Sequence, residues 1–160
     1  MFDATYFLAT LPFPRIDPIL FSIGPFAIRW YALAYVAGLL LGWRYMLQLN
    51  SSRAHLTTSE VIDELLVWAI VGVILGGRLG YVVFYNPSFY AENPLQIFAV
   101  WMGGMSFHGG LLGVTLTMVW FAKRRHLELL RLSDLVSCAV PLGLFFGRIA
   151  NFINGELFGR

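Results

Sequence analysis

Apolar residues in this chain come in long blocks separated by short polar stretches. Four blocks approach the roughly 20 apolar residues a membrane-spanning helix needs, at about residues 26–47, 65–85, 105–122 and 132–150. Between them lie "NSSRAHLTTSEVIDE", "NPSFYAENP" and "KRRHLELLR", polar or proline-bearing and so predicted to be linkers. In "TTSE", Thr57 or Thr58 is placed to cap the second helix, with Glu60 in its first turn. Ahead of the first block, "MFDATYFLATLPFPRIDPIL" has an acid where an export signal carries basic residues, and three prolines that suit no spanning helix. Residues 1–25 are expected to lie irregularly at the membrane interface, and residues 26–160 to form the transmembrane part. The fold class that follows is all-α: a polytopic integral membrane helix bundle with about four transmembrane helices.

Composition sharpens the setting. Hydrophobic residues make up 58% of the chain, charged residues 12%, and mean hydropathy is +0.70, against roughly 25% charged residues in a soluble domain. The lipid bilayer is the first partner. A net charge of +2, spread thinly, excludes nucleic acid as a partner but leaves lipid phosphates. The single cysteine, Cys138, rules out a disulfide framework within this chain and is expected to be a small buried hydrophobe. No metal or cofactor is called for, because His55, His108 and His126 fall on different segments, the first and last in linkers.

Charge also orients the spans. Arg44 and Arg53 flank the first linker and Lys123, Arg124, Arg125 and Arg131 the third, whereas residues 86–104 contain no Lys or Arg. Positive charge stays inside, so the first and third linkers are expected in the cytoplasm. The N-terminus, residues 86–104 and the closing stretch then lie outside, although Arg15, Arg29, Arg148 and Arg160 run against the rule there.

Each span carries two glycines four residues apart: Gly38 and Gly42, Gly76 and Gly80, Gly109 and Gly113, Gly143 and Gly147. That spacing puts both on one helix face and lets a neighbouring backbone come close. Pro141 is expected to kink the fourth span and free a carbonyl.

An ionisable side chain inside a span costs about 2.5–3.5 kcal/mol on insertion scales, so it needs a partner or a use. Arg78, in "LGGRLGYVVFY", shares a face with Tyr81 and Tyr85, and either hydrogen-bonds structurally or binds an anion. His108, in "GMSFHGGLLG", shares a face with Thr115, and the flanking Gly109 and Gly110 leave room for a substrate at the imidazole. Tyr31 aligns with Tyr35 and Gly38 at the start of the first span. The chain closes on "GRIANFINGELFGR", residues 147–160, with more polar chemistry than membrane anchoring requires. With the orientation above and 1.5 Å per residue, Tyr31, Arg78 and His108 all lie within about 10 Å of the outer surface, the end that also holds Arg148. One outward-facing pocket is expected. An arginine fork there suits a phosphate, and an imidazole can move a proton at neutral pH.

"RWYALAY", "GGRLGYVVFYN", "GGMSFHGGLLG" and "GRIANFINGELFGR" resemble, in order and surroundings, the bacterial prolipoprotein diacylglyceryl transferases. The last follows that family's signature of Gly-Arg, two residues, Asn-Phe, one residue, Asn, one residue, Glu, two residues, Gly. The resemblance implies transfer of a diacylglyceryl group from phosphatidylglycerol to the lipobox cysteine of an exported prolipoprotein, at the bacterial inner membrane, as the first step of lipoprotein maturation. It also implies roles. His108 would serve as base for the thiol and Arg148 as cation for the departing phosphate, with Tyr31 hydrogen-bonding either. Asn151, Asn154 and Glu156 would orient the arginine or the headgroup, and Arg78, Gly109 and Gly110 would line the substrate site. Family members continue past the signature with an outer head domain, further spans and another arginine, so this chain corresponds to the N-terminal part of the family's length. The competing readings are a transporter, a structural membrane subunit, or an inactive fragment of the transferase. Transporters favour midplane sites and internal repeats, neither of which this sequence shows. A structural subunit leaves His108 and Arg148 without a use.

Overall fold

The computed structural model describes residues 16–24 and 26–156. Most of the expected interfacial segment, with Arg15, and the last four signature residues, with Arg160, lie outside the described residues. The chain divides into two compact units, residues 1–42 with 140–160, and residues 43–139.

The first unit opens on a β-hairpin, which apolar block lengths alone do not predict. Strand β1 (Ile19–Ile23) pairs antiparallel with β2 (Phe26–Arg29), Ile23 opposite Phe26. Two apolar runs broken by Gly-Pro are a hairpin signal, and Gly24 takes the left-handed conformation (φ +58°) that opens the turn. Residues 26–29 are therefore strand, and the first helix, α1 (Trp30–Leu49), begins four residues later than its apolar block. The Trp30 N–H donates to the Pro18 carbonyl at 3.2 Å, tying the hairpin to the helix start. Within the same unit Gly38 faces Gly143: a Cβ on Gly38 would stand 3.0 Å from the Gly143 Cα.

In the second unit, α2 (Ser59–Phe84) starts six residues ahead of its predicted block, because the polar turn "SEVIDE" folds into the helix. Thr58 holds the cap position in extended backbone, but its side chain makes no capping bond. The second linker contains a short helix, α3 (Pro87–Glu92), and two tight turns. Helix α4 (Phe107–Arg124) runs antiparallel to α2, and α5 (Leu129–Ile153) follows and passes through Pro141. The predicted histidine linkers hold: His55 and His126 are exposed and both left-handed (φ 43° and 53°). Cys138 is exposed on α5, which corrects the expectation of burial. In a lipid-facing chain an apolar environment does not imply a protein interior.

Three of the four long helices, spanning Trp30–Ala54, Ser59–Phe84 and Leu129–Ile153, are long and apolar enough to cross a membrane. Helix α4, at 18 residues and ending in Lys123 and Arg124, is shorter. The chain is thus all-α in its membrane-spanning part, with the small hairpin ahead of α1.

Buried side chains in the second unit collect where the first and third linkers meet. Ile62, Phe121 and Leu132 are fully enclosed, with Met46, Leu65, Leu135 and Ala139 beside them. Asn50 folds the first linker: its Nδ2 donates to the Thr57 carbonyl at 2.6 Å, and its Oδ1 accepts from the backbone N–H of Leu56 and Thr57. Arg125 pairs with Glu64 across the same end. Toward the other end of α2, packing is backbone on backbone. Gly76 faces the Gly109 carbonyl, Gly113 faces the Gly72 carbonyl, and a Cβ on Gly80 would stand 2.8 Å from the Gly109 Cα. A neighbouring carbonyl cannot swing aside as a side chain can. Gly113→Ala is therefore expected to push α2 and α4 apart and lower stability by about 1–3 kcal/mol. Gly110→Ala, whose Cβ would meet nothing closer than 3.6 Å, should leave packing intact. Thermal unfolding of the purified complete protein in detergent compares the two.

Candidate functional site

The residues named from sequence divide between the units. Arg78, His108, Gly109 and Gly110 belong to the second; Tyr31, Arg148, Asn151, Asn154 and Glu156 belong to the first.

Arg78 sits six residues before the end of α2 and is only 4% exposed. Its Nε donates to the Ile97 carbonyl at 2.8 Å, Nη1 to Gly103 at 2.5 Å and Gly104 at 3.2 Å, and Nη2 to Gln96 at 2.7 Å and Ala99 at 3.1 Å. A guanidinium has five N–H donors, and each is spent on a backbone carbonyl. The guanidinium also stands 5.2 Å from the Tyr90 ring centroid, a cation–π contact. Tyr81 and Tyr85 stack parallel at 5.2 Å and Tyr81 meets Tyr90 edge-on, so the predicted polar stripe is an aromatic shelf beside the arginine.

His108 is the second residue of α4. Ser106, which the sequence reading passed over, builds that turn: its hydroxyl accepts the Gly109 N–H at 3.2 Å, and its own N–H donates to the Gly77 carbonyl at 2.8 Å. A serine ahead of an apolar run is a cap signal that was available. Gly109 and Gly110 turn toward α2. The imidazole itself is exposed, meets Phe107 edge-on at 5.6 Å, and has no hydrogen bond among the described residues.

In the first unit, Tyr31 is the second residue of α1, half-buried, and its hydroxyl accepts from Tyr35 at 3.5 Å. The signature forms the last turns of α5 and its cap. The Gly155 N–H bonds the Phe152 carbonyl at 3.1 Å and the Glu156 N–H bonds Asn151 at 2.8 Å, with Gly155 at φ +69°. This paired closure is the Schellman motif. It turns the chain so that Asn154 Nδ2 reaches Glu156 Oε1 at 3.3 Å. Two acceptors are left over: Asn151 Oδ1 and Asn154 Oδ1 are enclosed without a hydrogen-bond partner among the described residues. Arg148, one turn before Asn151, is exposed and likewise unpaired among them.

Apolar helices with polar groups gathered near their ends define a polytopic α-helical membrane protein. A family model described as prolipoprotein diacylglyceryl transferase matches residues 18–160. The phosphatidylglycerol-prolipoprotein diacylglyceryl transferase of Paramagnetospirillum magneticum is 60% identical over 150 residues, covering 94% of this chain and 56% of the relative. Those of Rhodospirillum rubrum and Azospirillum brasilense are 61% identical over 154 residues and 58% over 153, covering 96% of this chain and 56% and 57% of the relatives. The chain belongs to the prolipoprotein diacylglyceryl transferase family. It spans about half the length of the curated relatives it matches.

Proposed function

We propose that the complete protein moves the diacylglyceryl group of phosphatidylglycerol onto the lipobox cysteine in the signal peptide of exported prolipoproteins. The reaction takes place at the outer face of a bacterial inner membrane, with the N-terminus of this chain outside. The thiolate sulfur attacks the glyceryl carbon that bears the phosphate ester, the carbon–oxygen bond breaks, and glycerol phosphate departs with the electron pair. His108 takes the thiol proton, since the thiolate is the nucleophile. Arg148 binds the phosphate as negative charge builds on the leaving oxygen, and Tyr31 hydrogen-bonds the reacting groups. Asn151, Asn154 and Glu156 hold the headgroup.

The observation that carries this reading is the chemistry that the signature leaves unpaired among the described residues. A donor fork at Arg148 and two enclosed acceptors at Asn151 and Asn154 complement phosphatidylglycerol, which offers phosphate acceptors and glycerol hydroxyl donors together. Membranes containing the complete protein, given phosphatidylglycerol and a lipobox peptide, should yield a thioether-linked diacylglyceryl peptide by mass spectrometry. Absence of that product would overturn the proposal. The orientation has its own test: a reporter fused within residues 123–131 should be cytoplasmic and one within residues 86–94 external. Both reporters on one side would sink it.

A further inference from the structure

We infer that Arg78 is a positioning residue that folds the segment before α4 and thereby sets the first turn of α4, where His108 stands. The link to catalysis rests on the transferase reading above; the folding role does not.

The physical problem is the second linker. Residues 93–104 form only two short tight turns, Pro94–Phe98 and Val100–Met102, whose backbone bonds take up some carbonyls, Gln96 and Ala99 once each, and leave others to be paired, yet the segment exposes Leu95, Phe98, Trp101 and Met102. Such side chains prefer an apolar or interfacial setting, where water satisfies few carbonyls. Arg78 supplies the missing donors from inside. Its five bonds gather the carbonyls of residues 96, 97, 99, 103 and 104 around one planar group. Gly103 and Gly104, both at positive φ (83° and 80°), let the chain bend back onto it, and Gly104 lies against the Tyr81 ring one turn from Arg78.

The consequence reaches His108 by a short path. Two residues beyond Gly104 the chain is caught again, by the bond from the Ser106 N–H to the Gly77 carbonyl, next to Arg78 in sequence. The Ser106 hydroxyl then caps α4, and His108 follows within that capped turn. The arginine, the caught backbone and the cap form one continuous chain of contacts inside one unit. A cation whose donors are all committed in this way acts through the segment it holds. It does not bind the lipid.

Hydrogen exchange and transfer kinetics of the complete protein in detergent test this together. Arg78→Lys keeps the charge but has three donors and no fork. It is expected to speed exchange across residues 96–106 by roughly ten- to a hundredfold, as losing one or two charge-assisted bonds predicts, while the middles of α2 and α4 exchange as in the parent. Transfer should fall through kcat, with KM for phosphatidylglycerol within about twofold of the parent, since an interaction that only positions the base leaves ground-state binding alone. Gly104→Ala, strained at positive φ and pressed on Tyr81, should loosen the same segment with Arg78 still present and lower kcat in the same sense. This guards against Arg78→Lys failing to fold. Unchanged exchange over 96–106 in both variants would overturn the inference. So would a raised KM with unchanged kcat, the mark of a lipid ligand, or faster exchange with transfer intact. If the parent itself transfers nothing, the transferase reading fails, and the exchange result still decides whether Arg78 folds the segment.

Discussion

His108→Gln in the complete protein should insert and fold as the parent does and yet transfer diacylglyceryl roughly 10²–10⁴-fold more slowly at pH 7, the usual worth of a general base. The expectation comes from what the imidazole is free to do. It is exposed, and among the described residues its one ring contact is Phe107 and no hydrogen bond ties up either nitrogen. A cysteine thiol with its ordinary pKa of about 8.5 is only a few per cent thiolate at pH 7, so in the proposed mechanism the His108 imidazole takes the proton as attack begins. Glutamine keeps a hydrogen-bonding side chain of similar reach but carries no proton between groups. Raising the pH toward about 9 should then recover part of the rate, because solvent supplies more thiolate. Transfer equally slow at both pH values, with phosphatidylglycerol still bound, would assign His108 to positioning the thiol. Parental rates would remove it from the mechanism.

Much of this arrangement is legible in the sequence where spacing alone decides it. Glycines four apart on the second and third apolar blocks predict close backbone approach, and Gly72, Gly76 and Gly80 do meet Gly109 and Gly113. Block lengths place the helices, with errors of a few residues where polar turns join them, as Ser59–Glu64 joins α2. What hydropathy cannot read is where backbone carbonyls go. The five that surround Arg78 lie 18 to 26 residues away in the chain, in an uncharged segment with no pattern that points back to an arginine. Burial is equally hidden. In water an apolar residue such as Leu144 or Phe145 would be expected inside, but on a membrane helix both are exposed, and Cys138 follows the same rule. The hairpin ahead of α1 is concealed differently: Pro12, Pro14 and Pro18 break any helical pattern just before it, and Phe26–Arg29 leads directly into α1.

The signature arginine carries the other large effect. Arg148→Lys preserves the charge and nearly the length of the side chain, so if a positive field alone served the departing phosphate, the variant would keep most of its rate. The geometry argues otherwise. Arg148 has no carboxylate or carbonyl partner among the described residues, so its whole fork is open to an incoming group. Three and six residues on, Asn151 and Asn154 each hold an enclosed acceptor without a partner among the described residues, and in the proposed mechanism these orient the same headgroup. A planar fork that meets two phosphate oxygens fixes the leaving group's direction as well as its charge; an ammonium fixes only charge. Loss of one such preorganised donor typically slows a reaction by roughly 10²–10³-fold, and Arg148→Lys in the complete protein should fall in that range. Because the bonds tighten as negative charge develops on the phosphate, the loss should appear mainly in kcat. Vesicles varied in phosphatidylglycerol content provide the measurement, with folding checked by thermal unfolding. Full activity in the lysine variant would leave Arg148 as a snorkelling anchor near the end of α5, and the two asparagines would then need a different ligand.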